Sequence, residues 1–255
     1  MTKDRVVPEG IARAIAAARA VHAEFDVRTP EDIHLTLFAA AKRAFIDFSP
    51  TAPQDAHVVA TPEGAIIVIR DDQRGTPRGR FSGAHELGHL HLHADLDATL
   101  LLHGQERKSG SEYRFEREAD AFAVELLMPA VLLAPLCTSP APRFRSIEKL
   151  AWRFGTSLVT TARRWTELSK IPCALLEWKD GVVTRVDKTA AFRGDIARGR
   201  AVGDCLSALR GATLENASIP ETGATLTWAW HDAGWEGAKR RVSERRHPGL
   251  KSGVP

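Results

Sequence analysis

Hydrophobic positions repeat at helical spacing in some stretches of the chain and run or alternate in others, and the two periods divide it. Ile11, Ile15, Ala18 and Val21 recur every three or four residues, which predicts an amphipathic helix over Ile11 to Phe25. Leu35-Thr36-Leu37-Phe38 begins another helix. Ala65-Ile66-Ile67-Val68-Ile69 is apolar and mostly β-branched, which predicts a strand, and turn residues follow from Asp71 to Pro77. Tyr113 to Met128 reads as one helix, with Ala119, Phe122, Ala123 and Leu126 toward the core and Pro129 closing it. Pro135 to Pro142 reads as a linker.

Beyond the linker, Ser146 to Leu168 predicts two short helices broken at Phe154-Gly155-Thr156-Ser157. Ser157 is the cap, and Arg163, Arg164 and Trp165 lie on the second helix. Pro172 to Trp230 is strand-rich. Cys173 to Trp178 and Val182 to Val186 flank Lys179-Asp180-Gly181, a hairpin signal, and Ala224 to Trp230 alternates as a half-buried strand does. The arginine-rich stretch from Lys239 to Lys251 is expected to be a mobile, solvated tail. These elements predict an α+β chain in three parts: 1–140, a helix-turn-helix-like segment over 141–171, and a strand-rich region with its basic tail over 172–255.

Composition narrows the function classes. A chain of 255 residues can bury a substantial core. A formal charge of +3 is too small to support nucleic-acid binding strongly, so the helix-turn-helix-like segment is read as scaffold ahead of DNA reader. Cys137, Cys173 and Cys205 are few, odd in number and far apart, which suggests neither a disulfide framework nor a cysteine metal site. No apolar run is long enough for a bilayer, and Met1-Thr2-Lys3-Asp4-Arg5 lacks the apolar region of a secretion signal, so a cytoplasmic location is expected.

The chemistry is concentrated in His85-Glu86-Leu87-Gly88-His89. Residues four apart share a helix face, so His85 and His89 can converge on one divalent ion while Glu86 turns toward water beside it. Ser82 is the expected N-cap, and a strand beside such a helix is the arrangement in which zinc peptidases pair an extended substrate with a sheet edge. His93 stands roughly 12 Å along the axis from His85, at about 1.5 Å per residue, too far for one ion to bind both. His91 points to a different face. Both are read as polar surface or as supports of the ligands. Asp95 is a rival third ligand, but Leu92 stands where such peptidases need a glycine to turn the chain. In the second helix Glu118 can border the core and still reach a metal, whereas Glu116 lies on the opposite flank, and a solvated charged face accounts for either.

Two separated stretches, RFSGAHELGHLHLH from Arg80 to His93 and EREADAFAVELLMP from Glu116 to Pro129, resemble the ImmA/IrrE family of metallopeptidases. The resemblance implies a zincin-like metallopeptidase domain over 1–140, with active-site helices beside a small sheet. It assigns the glutamate before the Ala-Asp step, Glu118, as third ligand beside His85 and His89. It also implies a regulatory peptidase that cuts a helix-turn-helix transcriptional repressor encoded in a mobile element or stress circuit.

Two imidazoles and one carboxylate leave a fourth position open, which marks a catalytic zinc site; manganese or another divalent transition metal also suits the set. Glu86 is the expected general base. Asp120 is a candidate to orient a histidine, and Tyr113 and His103 are candidate donors to the oxyanion, neither fixed by spacing. The alternative is a DNA-binding or partner-binding regulator that keeps the peptidase fold without turnover.

Overall fold

A computed structural model describes residues 7–93, 110–137, 143–189, 191, 192, 194–209, 212–220 and 222–230. Asp95, His103 and the basic tail lie outside these residues. The chain divides into two compact units, residues 1–133 with 149–161, and 134–148 with 162–255.

In the first unit, helix α1 (Glu9–Glu24) buries Ala14, Ala18, Val21 and His22; of the predicted stripe, Ala18 and Val21 are buried and Ile11 and Ile15 half-buried. Helix α2 (Leu35–Ala41) leads into strand β1 (Ala44–Ser49), followed by β2 (Ala56–Thr61) and β3 (Gly64–Arg70). The sheet order is β1-β3-β2, with β1 parallel and β2 antiparallel to β3. The Ala65 to Ile69 strand is therefore central and paired on both sides, so it cannot accept a substrate; the sheet edges belong to β1 and β2.

Helix α3 (Pro77–Leu92) carries the histidine motif. It begins one and a half turns before Ser82, because the Thr76 side chain accepts from the Gly79 amide and Pro77 fits the first turn. Ser82 is thus inside the helix. Helix α4 (Gly110–Leu127) packs along both α1 and α3. Ala119, Phe122, Ala123 and Leu126 are fully buried there, each large side chain contributing about 2 kcal/mol of burial. The short α5 (Ala130–Leu133) follows Pro129.

Helices α6 (Phe144–Phe154) and α7 (Leu158–Leu168) form the expected pair, with Gly155 at φ 62° in the break and the Ser157 hydroxyl accepting from the Thr160 amide. In the second unit, β4 (Cys173–Lys179), β5 (Val182–Lys188), the short helix α8 (Val202–Ala208), β6 (Thr213–Ile219) and β7 (Ala224–Trp230) build an antiparallel sheet of order β5-β4-β7-β6. The β4–β5 turn places Asp180 and Gly181 at positive φ, as a two-residue hairpin turn requires. Arg163 pairs with Glu177, Arg164 is buried and reaches Glu167 at 3.0 Å, and Trp165 is buried against Trp228. These side chains hold the unit together. All three cysteines are buried. No single helix among the described residues is long and apolar enough to cross a membrane.

Candidate metal centre

The helix pair α3 and α4 places two histidines and one glutamate around a common point. His85 Nε2 and His89 Nε2 are 3.1 Å apart, and each lies 3.6 Å from a carboxylate oxygen of Glu116. The approach depends on Gly88, where a Cβ would meet the Ala119 backbone at 3.2 Å and Phe122 at 3.1 Å.

Asp120, one turn beyond Glu116 on the same face of α4, reaches His85 Nδ1 at 2.9 Å. Burial opposes a charge on His85, but the Asp120 hydrogen bond and neighbouring carboxylates outweigh it and raise its basicity. His89 Nδ1 lies 3.0 Å from His93 Nδ1, and His93 Nε2 lies 3.3 Å from Glu118 Oε2. Glu118 and His93 are almost wholly buried, and Arg13 of α1 donates to Glu118 Oε2 at 2.7 Å. Burial alone would raise the Glu118 carboxyl; hydrogen bonds from His93 and Arg13 outweigh it and hold it below the usual carboxylate range.

Glu118, assigned as third ligand from the resemblance, therefore faces Arg13 and His93, while Glu116 faces the histidines. Two positions along a helix differ by about 200°, so Glu118 and Asp120 cannot both point to His85. Glu116 and Asp120, four apart, do.

The partners dictate the protons. A carboxylate only accepts, so His85 donates from Nδ1 to Asp120 and leaves its Nε2 lone pair bare. His93 donates from Nε2 to Glu118, accepts at Nδ1 from His89, and so leaves the His89 Nε2 lone pair bare as well. Two lone pairs and a carboxylate turned toward one point are a donor set that suits a cation. Ligand atoms about 2.1 Å from a tetrahedral zinc stand roughly 3.4 Å apart, close to the spacings here. The three side chains fit a divalent transition metal.

Glu86 is half-buried. Burial raises its carboxyl, His85 and His89 lower it, and Glu116 raises it again, for a net upward shift that suits a base working near neutral pH. His91 stacks on Phe122, with burial pushing it down to about 4, and is no part of the cluster. Tyr113 is exposed, beneath the Arg117 guanidinium. Arg13 carries no signal in the sequence; only packing reveals it.

Comparison with known proteins gives a family match, two relatives and a similar solved structure. Residues 44–166 match the family described as "Peptidase_M78: IrrE N-terminal-like domain". The radiation response metalloprotease IrrE of Deinococcus deserti is 30% identical over 186 residues, covering 71% of this chain and 65% of the relative. Its namesake from Deinococcus radiodurans is 28% identical over 166 residues, covering 65% and 49%. The chain thus spans about two thirds of one relative's length and half of the other's. A solved structure titled "Mycobacterium tuberculosis transcriptional regulator" superposes with a TM-score of 0.54 at 18% identity, over 86% of this chain and 76% of that one, a likeness of fold.

Proposed function

We propose that this chain, whose residues 44–166 match the IrrE N-terminal-like domain, is a metal-dependent endopeptidase of the ImmA/IrrE type with a regulatory role, acting in the cytoplasm on a helix-turn-helix transcriptional repressor. The observation that carries the reading is the convergence of His85 Nε2, His89 Nε2 and the Glu116 carboxylate within 4.8 Å of one another, with Glu86 in the same turn of α3. Those three residues hold the metal, with zinc the default and manganese an alternative.

A bound divalent ion supplies a Lewis acid for the scissile carbonyl and lowers the pKa of the attacking water. Glu86 accepts the proton of that water and passes it to the leaving amine, a transfer its raised pKa favours. Asp120 keeps His85 in the tautomer that presents Nε2, and His93 does the same for His89. Edge strand β2, antiparallel to β3 and packed beside α3, offers unpaired backbone groups for an extended substrate.

The test is incubation of the zinc-loaded full chain with helix-turn-helix repressors from its genome, with products read by mass spectrometry. A discrete cut, absent with Glu86→Gln, is expected. Cleavage that persists with Glu86→Gln, or repression relieved equally by that variant, sinks the reading in favour of a regulator that works without turnover.

A further inference from the structure

The polar contacts around the cluster do not stop at α4. Arg13 Nη2 donates to Glu118 Oε2 at 2.7 Å, and Glu118 accepts from His93 Nε2 at 3.3 Å. His93 Nδ1 in turn accepts from His89 Nδ1 at 3.0 Å. The His93 ring is held on its other side by Phe115, 4.8 Å between centroids. Arg114 adds a weaker contact to the second Glu118 oxygen at 3.5 Å. Three helices thus contribute to one line of hydrogen bonds that ends on a ligand histidine.

The outer end of that line is unlike the inner. The Arg13 side chain is 57% exposed, whereas those of Glu118 and His93 are 2% and 1% exposed. Gly10, one turn before Arg13, makes room for the carboxylate: a Cβ there would stand 2.0 Å from Glu118 Oε1. Both residues lie on α1, outside the family segment 44–166.

We propose that Arg13, Glu118 and His93 form a relay that fixes the tautomer and ring orientation of His89, so that helix α1, through Gly10 and Arg13, sets the affinity of the metal centre. Glu118 is a positioning residue in this arrangement and not a ligand. A carboxylate at that point forces His93 to donate from Nε2, which leaves His93 Nδ1 able only to accept, which obliges His89 to carry its proton on Nδ1. Loss of the carboxylate frees both rings to adopt the other tautomer, in which His89 Nε2 bears hydrogen and cannot bind an ion. Because Arg13 is exposed, anything that engages it from solvent acts on the buried end of the line.

The proposal rests on the ligand set given above, and its test separates the two. Nitrogen NMR of the metal-free full chain reads the His89 tautomer, and zinc affinity is measured by chelator competition, for wild type, Gly10→Ala, Arg13→Gln, Glu118→Gln and Glu116→Gln. In wild type His89 is expected to be protonated on Nδ1. Glu118→Gln and Gly10→Ala should mix the tautomers and weaken zinc roughly 10- to 100-fold with one equivalent still bound. Arg13→Gln should act more weakly in the same direction, and Glu116→Gln should abolish tight binding without changing the His89 tautomer. A wild-type tautomer and affinity in both Gly10→Ala and Glu118→Gln would overturn the relay, as would a Glu118→Gln protein as empty of zinc as Glu116→Gln. If the wild type binds no zinc, the tautomer result still decides the relay and only the ligand set falls. Gly10→Ala alters no polar group, so it guards against misfolding of the buried Glu118 variant.

Discussion

His85 Nδ1 lies 2.9 Å from Asp120 Oδ1, and that contact places Glu116, one turn earlier on the same helix face, opposite the Nε2 atoms of both motif histidines. Asp120→Ala should therefore leave the ligands in place and loosen one of them. Zinc affinity is expected to fall roughly 10- to 100-fold, with Asp120→Asn between that and wild type. Chelator competition against a fluorescent zinc indicator measures it.

Glu86→Gln should separate metal binding from turnover. The variant is expected to hold one equivalent of zinc, by elemental mass spectrometry, while repressor cleavage falls by roughly 10²- to 10⁴-fold. A variant that loses the metal as well would make Glu86 part of the ligand set.

His22 supplies a pH dependence away from the metal centre. It is buried, with Nε2 3.0 Å from the Leu126 carbonyl. Burial lowers its pKa below 6.5, and Arg19 adds to that, against the Leu126 hydrogen bond and the Glu125 charge. The folded state then binds fewer protons than the unfolded chain below pH 6.5, so stability present above that pH is lost as the solution is acidified. The loss ends at the folded pKa and is at most about 1.4 kcal/mol per pH unit. His22→Gln keeps a donor to Leu126 and does not titrate. Urea melts from pH 7.5 to 5 should show a shallower acid slope for the variant than for wild type.

Gly155 sits at φ 62° in the turn between α6 and α7, where a Cβ would also meet Arg80 Cδ at 3.1 Å. Gly155→Ala should cost about 1 kcal/mol or more, from the left-handed backbone and from displacement of Arg80. A lower urea midpoint with unchanged zinc affinity is the expected result.

Arg163 pairs with Glu177 and lies 3.7 Å from Asp187, so its charge is used within its own unit. Arg163→Ala should lower stability by about 1 kcal/mol. Filter binding of duplex DNA across salt concentrations should show no steep dependence that this variant removes.

Periodicity alone located α1, the central strand, the long helix α4, the helix pair and the β4–β5 hairpin, because each buries a stripe or a face that recurs at its own spacing. Strands β1, β2 and β6 and helix α8 were not legible. Phe45 in β1 is exposed, and β2 and β6 are edge strands whose inward positions include small or polar residues, so their alternation is weak. The motif in α3 announced two candidate ligands, His85 and His89. Which of Glu116 and Glu118 stands opposite the motif histidines depends on the rotation of α4: with position 120 meeting His85, position 116 shares that face and position 118 does not. Arg13 and Gly10 lie more than 70 residues from the motif and are joined to it by the packing of α1 on α3 and α4.

Gly88 is the fourth residue of the motif and offers no side chain to a metal, yet the backbone of Ala119 would lie only 3.2 Å from a Cβ placed there. The absence of one methyl group thus sets how near the helix bearing the histidines comes to the helix bearing the carboxylate. A single added carbon there would press the two helices apart by a few tenths of an ångström with His85, His89 and Glu116 all intact. What is inherited at such a site is an interhelical distance as much as a list of residues.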